Sequence, residues 1–431
     1  MEDGSGADDA PGGPGGPVTR RRALALGVGG AGVLLGGVTG LLATRSGREE
    51  TPPSHETRAM GRYEAGDAAA VLGNRARAVK SGDRTAFLAT VGSAPAAFQA
   101  AQSRLYDNLR KLPLHGWREQ VVTVQAADAE SGATVVRVNV RYRLRGFDRG
   151  DVVRTGYLAL AQRSGTWTIV GDGSSHGFHD DAEIWAGGPL SVVGGRASLV
   201  IGDATGLGEI ARRLDEAVPV VSDVAGTGWA RRAVALVPAG AALASALAGP
   251  GQRLDEIAAL ATIVPPAGGG RGPGGDRVIV SPGTFGRLND VGRDVVLTHE
   301  LTHVATGAAR DRRTPGWLVE GFADYVAYRG SKIGVRAAAG ELRREVAAGR
   351  IPSALPASGA FAGGSARLSQ AYQEAWLACR MIADRYGEAT LVRLYRTAGR
   401  VPEATALREV LGLTRAGFTA RWRDYLKKEL T

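Results

Sequence analysis

Cysteine is nearly absent: Cys379 is the single one among 431 residues. One thiol excludes an intrachain disulfide framework, and its apolar helical surroundings read as those of a buried side chain. Cysteine poverty suits the cytosol and also a bacterial exterior where stability does not rest on disulfides, so it leaves the compartment open. Lysine is scarce too, five residues against 48 arginines, beside 63 glycines. That imbalance reads as a GC-rich coding bias more than as a binding surface. A net charge of +10 would favour anionic lipids, wall polymers or nucleic acid. Aromatics, however, make up only 6% of the chain, and no basic stripe interleaved with them appears, so nucleic acid is not an expected partner. What is plentiful is apolar content, 44% over a length that suits two or three domains with real cores.

Histidine is rare, six in all, and two of the six fall in the pentapeptide His299-Glu300-Leu301-Thr302-His303. On a helix of about 3.6 residues per turn, positions i and i+4 project from one face, so both imidazoles reach a single ion. Glu300 then reaches a water bound to that ion as a general base. No Gly or Pro interrupts residues 293–304, and Gly307 offers a stop. Seventeen residues after His303, the stretch from Trp317 to Tyr325 reads as a second apolar helix with a carboxylate at Glu320. His299, His303 and Glu320 make a three-ligand zinc site with its fourth position open. Asp324, one turn beyond Glu320, is placed to accept a hydrogen bond from the distal nitrogen of a ligand histidine.

The pentapeptide, followed by a helix reading Pro-Gly-Trp-Leu-Val-Glu-Gly-Phe-Ala-Asp-Tyr, resembles the gluzincin metallopeptidases, and more narrowly their bacterial peptidase MA-like members. The likeness extends over 196–430. It implies a zincin-like domain with a mixed sheet, an active-site helix and a helical C-terminal lobe. It also implies zinc-dependent hydrolysis of a peptide or protein substrate with Glu300 as base, and an oxyanion-stabilising Tyr or His. Tyr372, opening the apolar stretch 371–387, matches that last role by pattern. The strand read over 277–281 is either the counterpart of the gluzincin edge strand, which the resemblance implies pairs with extended substrate, or an ordinary interior strand. Two other readings stay open: a non-catalytic cell-surface module keeping the zincin fold for binding, and a zinc hydrolase of a non-protein amide such as cell wall.

The N-terminal part is organised differently. Residues 1–22 read as a disordered cytoplasmic tail ending in Arg20-Arg21-Arg22. Residues 23–43 carry no charge and are long enough to cross a bilayer as one helix. The arginines before them orient the N-terminus to the cytoplasm and the catalytic domain outward, at the cell membrane. A cleaved signal peptide and a twin-arginine signal are the rival readings, and both also export the chain. Gly32, Gly36 and Gly40 form a G-x-x-x-G ridge that suits weak homodimerisation. The match to G-x-G-x-x-G at residues 27–32 has no strand before it, so a dinucleotide site is rejected.

Residues 44–60 read as a polar linker. From 61 to 185, helices over 65–91 and 94–112, split at Gly82-Asp83, precede strands at 118–126, 134–144, 152–162 and 166–171. The segments 78–88 and 165–172 resemble the nuclear transport factor 2-like fold, which implies a cone-shaped α+β accessory domain. His176 and His179, in a Gly-rich segment near acids, read as solvated loop residues. The domain over 196–431 opens with a strand at 196–202, a helix at 207–218, and strands at 233–238 and 260–264. A Gly-Pro loop at 265–275 follows. The whole is expected to be of the α+β class, with a single N-terminal transmembrane helix.

Overall fold

The computed structural model of the chain describes residues 65–128, 130–249, 254, 257–267, 274–362 and 365–431. The first described part starts with α1 (Ala65–Ser81), α2 (Arg84–Ala89) and α3 (Ala96–Leu109). The break between α1 and α2 has a local cause. Gly82 takes φ +78°, and the Asp83 side chain caps α2 by accepting from Ala86 N–H at 2.9 Å. Four strands follow, β1 (Leu114–Asp128), β2 (Ala133–Leu144), β3 (Val152–Arg163) and β4 (Thr166–Asp172), paired antiparallel in chain order.

The second part carries its own sheet of β5 (Ser191–Gly194), β6 (Ser198–Gly202), β7 (Ala233–Val237), β8 (Ala259–Val264) and β9 (Gly275–Val280). Their order in space is β5-β6-β7-β9-β8. Both β6 and β7 are buried at every position. Strands covered on both faces read as unbroken apolar runs and pair in parallel, joined by crossover helices. So it is here: β6 and β7 run parallel across α4 (Leu207–Ala225), and β7 and β9 run parallel across α5 (Ala241–Ala248) and β8. The end strands β5 and β8 pair antiparallel with their neighbours. Beyond β9 the described elements are helical: α6 (Pro282–Phe285), α7 (Asp290–Thr306), α8 (Gly316–Tyr328), α9 (Val335–Ala338), α10 (Gly340–Ala347), α11 (Leu368–Tyr386), α12 (Glu388–Ala398), α13 (Glu403–Leu411) and α14 (Arg415–Leu430).

These findings correct the expected fold class. The molecule is mixed α/β rather than α+β, because the alternation of buried strands with α4 and α5 builds parallel pairs. Among the described residues, no helix is long and apolar enough to cross a membrane. The expected transmembrane helix at 23–43 with Gly32, Gly36 and Gly40, the tail before it and the whole linker 44–60 lie outside the described residues. For the strand read over 277–281, the interior reading holds. It is β9, and it lies inside the sheet between β7 and β8, so β8 forms the edge.

The two sheets share one apolar cluster. Phe87, Tyr106, Trp117, Tyr142 and Trp185 from the first part pack with Leu199, Ile201, Leu236 and Ile279 from the second. Trp185 stands edge-on to Trp117 and to Tyr142, at centroid distances of 5.7 and 5.0 Å. Through this apolar joint runs a bidentate ion pair, Arg277 on β9 to Asp148 in the β2–β3 turn, at 2.6 and 3.0 Å. Both side chains are out of water, 2% and 0% exposed.

Candidate metal centre

The helix that carries the two histidines has a defined start and stop. The Asn289 side chain accepts from Gly292 N–H at 2.8 Å, and Gly307 closes α7 in the left-handed region at φ +71°. Between them, Val295, Val296, Leu297, His299, Glu300, Leu301 and His303 are all buried. The helix α8 brings Glu320 and Asp324 to the same place. Its close approach to α11 depends on Gly321, where a Cβ would stand 2.2 Å from the Ala375 carbonyl oxygen and 2.9 Å from Cys379 Sγ. Gly321→Ala is therefore expected to force α8 off α11 and to cost about 1–3 kcal/mol, as overpacked cores do. A chemical-denaturation midpoint equal to that of the wild type would contradict this.

Three donor atoms converge. His299 Nε2 and His303 Nε2 are 2.9 Å apart, and Glu320 Oε2 lies 3.3 Å from the first and 3.4 Å from the second. Ligands about 2.0–2.1 Å from a tetrahedral ion stand about 3.3–3.4 Å apart, so the two edges to Glu320 match one small cation and the His–His edge would open by about 0.4 Å to hold it. Asp324 Oδ1 accepts a hydrogen bond from His299 Nδ1–H at 2.8 Å, which turns Nε2 toward the other two donors. Glu320 Oε2, buried, makes no hydrogen bond of acceptable geometry. Three donor atoms aimed at one another call for a positive charge between them, a proton or a metal ion. The electrostatics agree: burial alone would lower His299, but Asp324 and Glu320 outweigh it and push the ring up to about 10. Burial would raise Glu320, yet His303 and His299 draw it down to about 2. A buried group of His299, His303 and Glu320 that could hold a metal ion is thus present.

Glu300 points one carboxylate oxygen at the sheet. Its Oε2 accepts from the backbone N–H of Ala261 on β8 at 2.7 Å, while Oε1 is buried without a partner. Burial, reinforced by the charges of Glu320 and Asp324 and opposed by His299 and the Ala261 bond, pushes Glu300 up to about 8. Tyr372, on α11, sets its ring 6.1 Å from that of His299, with a buried hydroxyl that has no partner. Burial, then the Glu320 carboxylate, hold that phenol well above its ordinary range, so it keeps its proton at neutral pH. All six residues are no more than 3% exposed. Phe361 packs edge-on against Tyr372 at 5.2 Å.

His176 and His179 stand apart from this cluster. Both are exposed, and His176 Nδ1 pairs with the hydroxyl of Ser175 at 2.9 Å. Sequence reasoning missed Ala261, Gly321 and Phe361 as parts of the site. Ala261 acts through its backbone, which no residue type announces, and Phe361 is brought in by tertiary packing alone. Gly321 did carry a signal, a glycine inside an apolar helix beside a ligand, which is the mark of a close helix contact. No family model matches the chain, and neither a curated protein nor a solved structure does.

Proposed function

We propose that the chain is a zinc metallopeptidase of the gluzincin type, hydrolysing peptide bonds. Two imidazoles and one carboxylate with a free fourth position are the donor set of catalytic zinc. His299, His303 and Glu320 would hold the ion, with Asp324 fixing the first imidazole. When bound, zinc supplies Lewis acidity, bringing a water pKa to about 7 and polarising a carbonyl. The residues around it do the rest. Glu300, anchored at Oε2 by Ala261 N–H, uses its free Oε1 to take the proton of the attacking water. As the oxygen–carbon bond forms and the carbon–nitrogen bond breaks, the same carboxyl returns that proton to the leaving nitrogen. The neutral Tyr372 hydroxyl donates to the oxygen on which negative charge develops. The buried walls exclude competing water.

The observation that carries this reading is the unpartnered Oε1 of Glu300 beside three metal donors. A binding-only module needs those donors and Asp324 to orient one of them, but has no use for the further buried carboxylate of Glu300, which is costly to keep out of water. Chelation tests the proposal. Peptide hydrolysis by the full chain is expected to vanish on treatment with 1,10-phenanthroline and to return with zinc, but not with magnesium. Hydrolysis that survives complete metal removal would sink it.

A further inference from the structure

The edge strand β8 is not free along its whole length. In its antiparallel register with β9, Ala261 lies opposite Val278, and the Ala261 N–H goes to Glu300 instead of to β9. Ala261 therefore faces outward, and by alternation Ala259 and Ile263 face the same way. The inward direction of the even-numbered residues is independently marked by Ser281 N–H, which bonds the Ala258 carbonyl at 2.9 Å. Past the end of β8 the outward groups are already taken. The Pro265 carbonyl accepts from Val153 N–H at 3.0 Å, and Ala267 N–H donates to the Asp151 carbonyl at 2.8 Å. Val152 and Pro266 form an antiparallel bridge between them. The start of β3, from the other sheet, thus occupies the same edge that Glu300 faces.

This cap is held firmly. The β2–β3 turn just before it carries Asp148, which is bound at 2.6 and 3.0 Å by Arg277. Arg277 is the β9 residue opposite Thr262 of β8. Asp148 also takes Leu144 N–H at 2.8 Å, and Asp151 is bonded by Arg143 at 2.9 Å. An extended peptide that adds to a sheet edge uses main-chain bonds, so it can follow β8 only until it meets β3.

Resting on the peptidase reading above, we propose that β3 ends the substrate track, so that the site cleaves peptides within about four residues, about 13 Å of strand, of one chain end. The substrate class is then short peptides or chain termini, not the interior of an extended chain. The first part of the molecule acts as a ruler.

Peptides extended one residue at a time on either side of a scissile bond test this. With the zinc-loaded full chain carrying Glu300→Gln, fluorescence anisotropy reads binding without turnover. Extension past the cap on one side is expected to weaken affinity about tenfold, the loss of one or two strand hydrogen bonds, while extension on the other side has no such effect. Wild type should release products from one end of long peptides, as read by mass spectrometry. Val153→Pro removes the donor to Pro265, and Ala267→Pro separately removes the donor to Asp151. Either is expected to admit longer peptides and to shift cuts inward. Affinity independent of length on both sides, or interior cuts in long peptides by wild type, overturns the ruler while leaving the peptidase reading intact. If wild type cuts no peptide of any length, the peptidase reading itself fails.

Discussion

Replacing Glu300 by Gln is expected to lower kcat/KM for peptide hydrolysis by about 10²–10⁴-fold while the metal stays bound. The reasoning is local. Oε2 is engaged by Ala261 N–H at 2.7 Å and Oε1 has no partner, so one oxygen is anchored and the other is free to take a proton. Glutamine keeps the shape and an oxygen able to accept the Ala261 bond, but its amide cannot act as the base. The metal donors are untouched, since Glu300 is not one of the three. The two readouts must therefore separate, with hydrolysis falling and zinc content holding. A variant that loses zinc along with activity would make Glu300 a structural residue. A variant that keeps full activity would remove the base from the mechanism.

Arg277→Met is expected to destabilise the chain by about 3–5 kcal/mol, because it leaves the Asp148 carboxylate buried and unpaired. The Asp148 side chain is 0% exposed, and the Leu144 backbone N–H also donates to it. Burial opposes the Arg277 charge, and Asp148 more than restores it, so the guanidinium sits above its ordinary value and stays charged. Replacing both residues by apolar ones of similar size is expected to recover much of the loss, since a well-packed apolar pair often equals a buried ion pair. Denaturant midpoints of the two single variants and the double variant check this. A single variant as stable as wild type would mean that the joint between the sheets opens to water. The prediction bears on function as well, because the same pair pins the turn that leads into β3.

Much of the candidate site can be read from residue types, because helical spacing is a local property. His299 and His303 at i and i+4, and Glu320 with Asp324 one turn on, need only two helices to define their faces. What cannot be read is how those helices meet the sheet. The segment 277–281 has the composition of an edge strand and of an interior strand alike, and only the pairing of β7 and β8 around it decides. The same limit produced the wrong fold class. The buried runs of β6 and β7 are apolar on both faces, the pattern of parallel strands, yet an α+β arrangement uses the same residues. Arg277 illustrates what residue type alone does not carry. An arginine in a strand reads as a solvated charge until Asp148, 129 positions away in sequence, is seen beside it.

Zinc titration of the metal-free full chain, wild type against Glu320→Ala, tests the metal centre most directly. With His299 pushed up to about 10, the metal-free cluster carries a proton at neutral pH, and zinc must expel it. Affinity should therefore rise with pH through neutrality, with a single zinc bound per chain. Loss of the Glu320 ligand should weaken binding by more than the about 10–100-fold that loss of a supporting hydrogen bond causes. A wild-type chain that takes up no zinc, or one that binds zinc equally well without Glu320, would contradict the proposed site.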